Sequence, residues 1–572
     1  MNPRIAKEIK VLRPAFLLTL AAAAMPLVIG PNRHELPEIW MGIIFAMGCL
    51  IMGAEAFGNE FQQKTLSLLL TQPLPRTFIW KEKMQVLGAA LAIGTGALAG
   101  AVMLFDRQVV SAEDFSWMAW VLVPVCILCT TPYWTLFLRN TLLGALLTFI
   151  APVLLLGINS YLHYRWLENG KFIFGSWFVV NGFLYQKWIH DPAAEESSVI
   201  TLLILYCAVC CWLGYRRFRS LQVVDAQGTA AFRELGLPAR VETLLLRPFK
   251  TIAAGFTSSL ASLVKKELRL QQITFVGAAL FCLMAVAGAV LFHLTVDESL
   301  GRGWAMGILV ADYYLYLPIL PLIAGTVAVA EEKAWGVADW HLTLPPSARR
   351  QWTAKVAVAL ITSLILGLIL PAVLLLAGTA LFGGERDSNL LLPRFHAIRS
   401  AVNAVLGGNA SAIAPMSVAL AFLFCVVLAQ MLLTSVAIYA ASIASSTARA
   451  LVLALGMMIA AGCLLEFCAA EHPYLALQIA QFLRQTVPSQ MVNVGLLNVS
   501  IFIPLGLIHC LAYRCYRSRE LTRNLLRFQV PLMVLVLCFL TMVFATLVAF
   551  VRIADERGAT PGRYRVVGQH AL

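Results

Sequence analysis

The sequence predicts an all-α polytopic membrane protein of about 13 transmembrane helices, arranged as two tandem sets of six plus one extra C-terminal helix. Three observations carry that expectation. Of the 572 residues, 60% are hydrophobic and only 13% charged, with a mean hydropathy of +0.79, whereas soluble domains are about a quarter charged. Apolar runs recur along the whole chain at the length of about 20 helical residues that a hydrocarbon core demands. A short polar loop motif occurs twice, with Leu70 of the first copy answering to Leu342 of the second, 272 positions on.

The apolar runs in the first part lie at residues 13–30, 39–57, 84–105, 117–138, 141–162 and 199–215. Those in the second lie at 273–294, 311–330, 356–382, 416–441, 450–470 and 494–513, and the unpaired last one at 530–551. The first run follows Lys7, Lys10 and Arg13 and contains Ala21 to Ala24, which resembles a secretory leader. Twelve further runs favour a start-anchor helix instead.

A net charge of +13 would suggest nucleic acid in a soluble protein. With the N-terminus in the cytoplasm and alternating sides, about two thirds of the Lys and Arg fall on cytoplasmic segments, and most acidic residues fall outside. The basic excess is therefore a topology signal, and a nucleic-acid role loses its main support. The 13 cysteines lie in or beside the apolar runs. Cys126 with Cys129, and Cys207 with Cys210, have CxxC spacing; inside such runs they read as small apolar packing residues.

The repeat extends beyond the loop. GYRRFRS at 214–220 is echoed by AYRCYRS at 512–518, and AKEIK at 6–10 by KKELR at 265–269. The shift of 272 takes Leu70, Thr71, Pro73, Trp80 and Lys83 onto Leu342, Thr343, Pro345, Trp352 and Lys355, and also Gly53 onto Gly325 and Glu60 onto Glu332. The expected organisation is a first six-span half at 1–220, a cytoplasmic linker at 221–263, a second half at 264–518, and an extra span with its tail at 519–572. The linker stretch 241–256 mixes apolar and basic residues as a surface helix does, or as a solvated linker does. By parity the tail from 552 to 572 lies outside.

In the first loop the pattern predicts a helix over 58–72, with Phe61, Leu66, Leu69 and Leu70 on one stripe and Glu60 and Lys64 four apart. Pro73 and Pro75 end it, because proline offers no amide hydrogen and disfavours helix in the residue before it. A second helix begins near Arg76 and carries Trp80, Lys81 and Lys83 into the third span. The product is a cytoplasmic elbow whose apolar stripe either docks a soluble partner or packs against neighbouring span ends.

Glu60, Thr65, Leu68 to Leu70, Pro73, Pro75, Arg76 and Lys83 resemble the cytoplasmic loop of membrane permeases of the type-2 ABC exporter class. KEIK and KKELR resemble the interfacial helices before the first span in that family. The resemblance implies that Glu60, Thr65, Leu66, Leu69, Leu70, Pro73, Pro75 and Arg76, with Glu332, Leu342, Pro345 and Arg349 in the second copy, form ATPase-coupling loops. It also implies a separate cytoplasmic ABC ATPase, in two copies, that binds ATP and Mg, a bacterial inner membrane, and short exterior re-entrant helices at 164–198 and 471–490. The second loop departs from the pattern: Pro345 and Pro346 are adjacent, the arginines move to Arg349 and Arg350, and Trp335 and Trp340 flank a less leucine-rich stretch.

The chain contains no GxxxxGK[ST] phosphate loop, the nearest fragment being Gly170-Lys171. HExxH, GxSxG and a carboxylate pair within one span are absent too, so no enzyme chemistry and no resident cofactor or metal is expected. Ionisable residues within spans are costly and therefore candidates for function. Glu55 and Glu466 are the pathway candidates: Glu55 otherwise closes hydrogen bonds at the loop base, and Glu466 otherwise packs against a polar partner. His293 and His509 lie near span ends. Prolines 124, 132, 152, 321 and 371 either kink spans around a pathway or bend them ordinarily. The expected function is the transmembrane permease subunit of an ABC exporter for a hydrophobic or amphiphilic substrate; the competing expectation is a secondary transporter driven by an ion gradient.

Overall fold

The computed structural model describes residues 3–29, 36–62, 65–71, 73–105, 117–166, 192–221, 259–295, 298–334, 336, 347–382, 413–471, 490–517 and 528–540. Helices dominate, and no strand occurs among the described residues. In chain order they are α1 (Pro3–Ile29), α2 (Leu36–Gln62), α3 (Leu66–Leu70), α4 (Arg76–Phe105), α5 (Trp117–Leu138), α6 (Thr141–Trp166) and α7 (Pro192–Ser220). There follow α8 (Ser259–Leu270), α9 (Gln272–Thr295), α10 (Glu298–Ala334), α11 (Ala348–Leu364), α12 (Leu370–Phe382), α13 (Ile413–Ile443), α14 (Thr447–Glu471), α15 (Gln490–Arg517) and α16 (Phe528–Leu540).

Among the described residues, seven stretches are long and apolar enough to cross a membrane: Gly42–Gln62, Arg76–Leu104, Val121–Leu138, Ile200–Ser220, Gln272–Val290, Ala348–Gly378 and Val426–Ile443. Three shorter apolar helices accompany them, Thr141–Leu155, Thr447–Cys463 and Phe528–Leu540. The protein is an all-α, membrane-embedded one. Each apolar run of the sequence falls on a helix, the last being described only as far as Leu540. The linker stretch 241–256, the tail, and most of the segments 164–198 and 471–490 lie outside the described residues.

Helix pairings in the N-terminal part recur in the C-terminal part. The pairs α1·α2, α2·α5, α2·α6, α5·α6 and α5·α7 are matched by α9·α10, α10·α13, α10·α14, α13·α14 and α13·α15. The two parts meet reciprocally, α6 against α9 and α14 against α1. Without a hydrophobic drive between helices in lipid, such pairs depend on small residues that let backbones approach. A Cβ at Gly53 would come within 2.9 Å of Ile127 and 3.0 Å of Thr131, and one at Gly325 within 2.5 Å of the Thr434 carbonyl oxygen and 2.6 Å of Ala437.

Two local differences separate the parts. α1 runs unbroken through AKEIK, whereas its counterpart divides at Gln271 between α8 and α9. The Gln271 amide donates to the Ala324 carbonyl (2.9 Å) and accepts from Thr274 (2.7 Å), so the break is polar but satisfied. The second difference is a π turn at Ile365–Ile369 between α11 and α12, where the Leu370 amide bonds the Ile365 carbonyl. Pro371 follows and cannot donate to Gly367, so the ladder changes register here. The Tyr316 hydroxyl donates to the Leu366 carbonyl (2.9 Å).

Gly325→Ala is expected to lower the detergent melting temperature, since overpacking costs about 1–3 kcal/mol. Gly506→Ala, at a glycine with nothing within 4 Å, is expected to leave it unchanged or raise it through helix propensity. Equal behaviour of the two variants in a thermal-shift assay contradicts the close α10·α13 approach.

Candidate functional site

The two copies of the loop motif sit on the same device. In the first, α2 ends at Gln62, and the Thr65 amide bonds the Glu60 carbonyl oxygen (3.0 Å) while the Thr65 hydroxyl donates to the Glu60 carboxylate. That five-residue step replaces the continuous helix expected over 58–72 and rotates the register, leaving α3 as a separate turn. Leu66 and Leu69 consequently point into the core, as in the packing alternative for the stripe. The outward apolar residues are Leu68, 68% exposed, and Phe78, 48% exposed. Pro73 and Pro75 are exposed at the bend, and the Pro75 carbonyl accepts from the Phe78 and Ile79 amides (2.9 and 3.3 Å), starting α4. Arg76 donates to the carbonyl of Arg219 at the end of α7, tying the elbow to the last helix of its half.

Beneath this elbow lies a buried charge cluster. The Lys83 ammonium donates to Glu8 (2.7 Å), to Glu60 (3.4 Å) and to the Ala56 carbonyl (3.0 Å), and Lys7 reaches Glu60 from the rim at 3.0 Å. Phe57 packs its ring 5.7 Å below that ammonium and 5.0 Å from Trp80, which also meets Phe218 at 5.6 Å and Tyr215 at 6.0 Å. Trp80, expected near the start of the second helix, is thus a buried linchpin between α2, α4 and α7.

The second copy repeats the cluster residue for residue. Lys355 donates to both Glu267 oxygens (2.9 and 3.0 Å) and to the Ala328 carbonyl (3.4 Å), and pairs with Glu332 at 2.7 Å; Lys266 pairs with Glu332 at 2.5 Å. Trp352 meets Tyr516 at 5.2 Å and Tyr513 at 6.0 Å. Burial pushes the Glu332 carboxyl up, but the charges of Lys355 and Lys266 outweigh it and hold it below the ordinary carboxylate range. Next to it, burial alone pushes Glu331 up to about 7. Ser347 caps α11 by accepting from the Arg350 amide, and Arg349 is exposed at that helix start.

Of the coupling-loop candidates, Glu60 and Glu332 are therefore brought into ion-pair clusters, and Thr65 and Arg76 into hydrogen bonds. Leu342, Pro345 and the side chain of Leu70 lie outside the described residues, as does the side chain of Glu466. Glu55 does not close hydrogen bonds at the loop base: it is 1% exposed and neither carboxylate oxygen finds a hydrogen-bond partner among the described residues. It lies on the side of α2 that meets α14, where the Gln62 amide donates to Thr447 (3.0 Å). Sequence reasoning missed Lys7, Glu8, Lys266 and Glu267 as partners; a shift of 259 aligning KE at 7–8 with KE at 266–267 was the available signal.

No protein-family model matches the chain, and no curated protein or solved structure matches it either.

Lys355→Met leaves Glu267 and Glu332 buried with only the partly exposed Lys266 between them, and removing one partner of a buried pair costs about 3–5 kcal/mol. The expected result is a sharply reduced folded yield in membranes, substantially restored when Glu267→Gln and Glu332→Gln are added; yield that stays wild-type in the single variant refutes the pairing. Glu331 supplies a pH test. Its proton leaves the unfolded chain near the ordinary value of 4.5 and the folded chain near 7, so the unfolded state binds fewer protons in that window and stability falls as pH rises through it. Glu331→Gln is expected to flatten that decline, read as melting temperature against pH.

Proposed function

We propose that the chain is the transmembrane permease subunit of an ABC-type exporter, with 13 spans: two six-span halves fused in one chain and one more after them. The observation that carries this reading is the recurrence of one buried cluster, Lys7, Glu8, Glu60 and Lys83, as Lys266, Glu267, Glu332 and Lys355 under the second loop. A loop that only joined two spans would need no such anchorage. A loop that receives force from a soluble motor does, because a push on α3 or the start of α4 has to reach α1 and α2 without being absorbed by a flexible turn.

In this reading the N-terminus is cytoplasmic and the membrane is the bacterial inner membrane. A separate ABC ATPase, two copies per chain, binds ATP and Mg and contacts Leu68 and Phe78 of the first elbow and the Arg349 end of the second. Closure of the ATPases presses the elbows, the ion-paired joints carry the displacement into α1·α2·α4 and α9·α10·α11, and the reciprocal seams α1·α14 and α6·α9 open or close around a hydrophobic or amphiphilic substrate drawn from the lipid. The permease itself performs no hydrolysis.

The test is ATP hydrolysis associated with the protein purified from its native membrane in mild detergent. Leu68→Asp with Phe78→Asp is expected to remove that activity at least tenfold while membrane abundance and melting temperature stay unchanged, since both side chains are exposed. Undiminished activity in the double variant, or substrate export that survives ATP depletion and collapses with an uncoupler, overturns the assignment in favour of an ion-driven transporter.

A further inference from the structure

Two facing cysteine pairs remain unused by the reading above. Cys126 and Cys129 on α5 and Cys207 and Cys210 on α7 are brought together by the α5·α7 pairing, with Cys211 beside them. The Cys126 and Cys207 sulfurs lie 3.5 Å apart and both residues are buried. Cys129 lies close to Cys207 and Cys211.

Packing alone does not call for thiols at these places, and the second half provides the comparison. A shift of 306 carries Tyr133 and Thr141 onto Tyr439 and Thr447, and a shift of 298 carries GYRRFRS onto AYRCYRS. Under these shifts the contact between Cys129 and Cys211 falls on Ser435 and His509, which are themselves hydrogen-bonded at 3.0 Å, so the registers correspond. The same shifts place Cys126 and Cys207 on Leu432 and Leu505. The equivalent helix pair, α13·α15, thus forms with leucines where α5·α7 carries two thiols in contact.

We propose that Cys126 and Cys207 are an intramembrane disulfide site, oxidised by a lipid-soluble quinone. The sulfurs are at van der Waals contact, and a disulfide needs them about 2.05 Å apart, a closure of the kind that side-chain rotation and a small helix adjustment supply. Both residues lie within stretches apolar enough to cross a membrane, and the surfaces flanking them, Val125, Ile204, Leu205 and Trp212, are exposed and apolar. A charged, water-soluble oxidant does not reach such a site, whereas a quinone dissolved in the hydrocarbon does. In the step, each thiol gives up one proton and one electron, two S–H bonds break and one S–S bond forms, and the quinone takes up both protons and both electrons to leave as hydroquinone. Among the described residues no group of three or more His, Cys, Asp or Glu side chains is arranged to hold a metal ion. The disulfide staples α5 to α7, so that in the oxidised protein the first half moves with this pair locked and the second half, which has leucines there, does not.

The test uses the full-length protein, reduced, freed of reductant and held without oxygen in lipid nanodiscs, with a short-chain ubiquinone analogue added. The expected result is loss of two titratable thiols per chain, formation of one hydroquinone, and a peptide linking Cys126 to Cys207 by mass spectrometry. Cys207→Ser is expected to keep all its remaining thiols, and Cys510→Ser, which changes an exposed thiol on α15, to react as wild type does. The proposal is overturned if quinone leaves the wild-type thiols intact, even where copper phenanthroline oxidises them, or if the linkage found joins other cysteines.

Discussion

The structure depends on one buried interaction made twice: an ammonium group, Lys83 or Lys355, held between two carboxylates and a helix carbonyl. Taking such charges out of water is expensive, several kcal/mol per ion even after relaxation, and the geometry has to repay it. Here it does so by convergence. Glu8 comes from α1, Glu60 and the Ala56 carbonyl from α2, and Lys83 from α4, so none of the three helices can shift alone without stranding a charge. In a membrane protein, where apolar surface gives helices little reason to prefer one another over lipid, a polar joint of this kind fixes the relative position of three helices more sharply than leucine packing does. The aromatic group of Phe57, Trp80 and Phe218 then covers the joint and adds α7 to it.

How much of this the sequence disclosed follows from the range of each interaction. Apolar runs are local, and each fell on a helix. Proline stops are local too, and the bend at Pro73 and Pro75 stands where they require it. Which of the two ways Leu66 and Leu69 turn was not legible, because a helical stripe assumes an unbroken register and the bond from Thr65 back to Glu60 breaks it within a few residues. The ion pairs were illegible for a different reason: Lys83 finds Glu8 across 75 residues and Lys355 finds Glu267 across 88. Only the repeat could have revealed them, since the same charges recur under both loops. Contact between the two CxxC pairs likewise depends on which helices pack together, and spacing along one helix carries no information about its neighbour.

The repeat also makes the departures from it informative. On α2, Glu55, Asn59 and Gln62 share the face that meets α14, and Thr447 and Arg449 stand opposite. The shifts that align the halves put Val327 where Glu55 is and Leu143 where Arg449 is. In the same way Ser363, Gln430 and Thr434 form a buried hydrogen-bonded chain beside the π turn, whereas Leu91, Pro124 and Leu128 occupy the matching positions. Polar groups in the bilayer are thus concentrated on one seam and one bundle rather than distributed by the pseudo-symmetry.

That imbalance has a mechanical consequence. A carboxyl as buried as Glu55, with no hydrogen bond to either oxygen among the described residues, is costly to ionise where it stands, since an isolated buried charge costs far more than a lost packing contact. Beside it the Gln62 amide and the Thr447 hydroxyl join α2 to α14 by a hydrogen bond of 3.0 Å. Parting these helices breaks that bond, and each buried polar group left without a partner costs about 1–3 kcal/mol. At the matching seam, Val327 and Leu143 lose only apolar contact when their helices part, at about 25 cal/mol for each Å² uncovered, and lipid restores much of it. Equal displacements of the two seams are thus unequal in energy, and the α2·α14 seam is the one that resists parting until water reaches its freed polar groups.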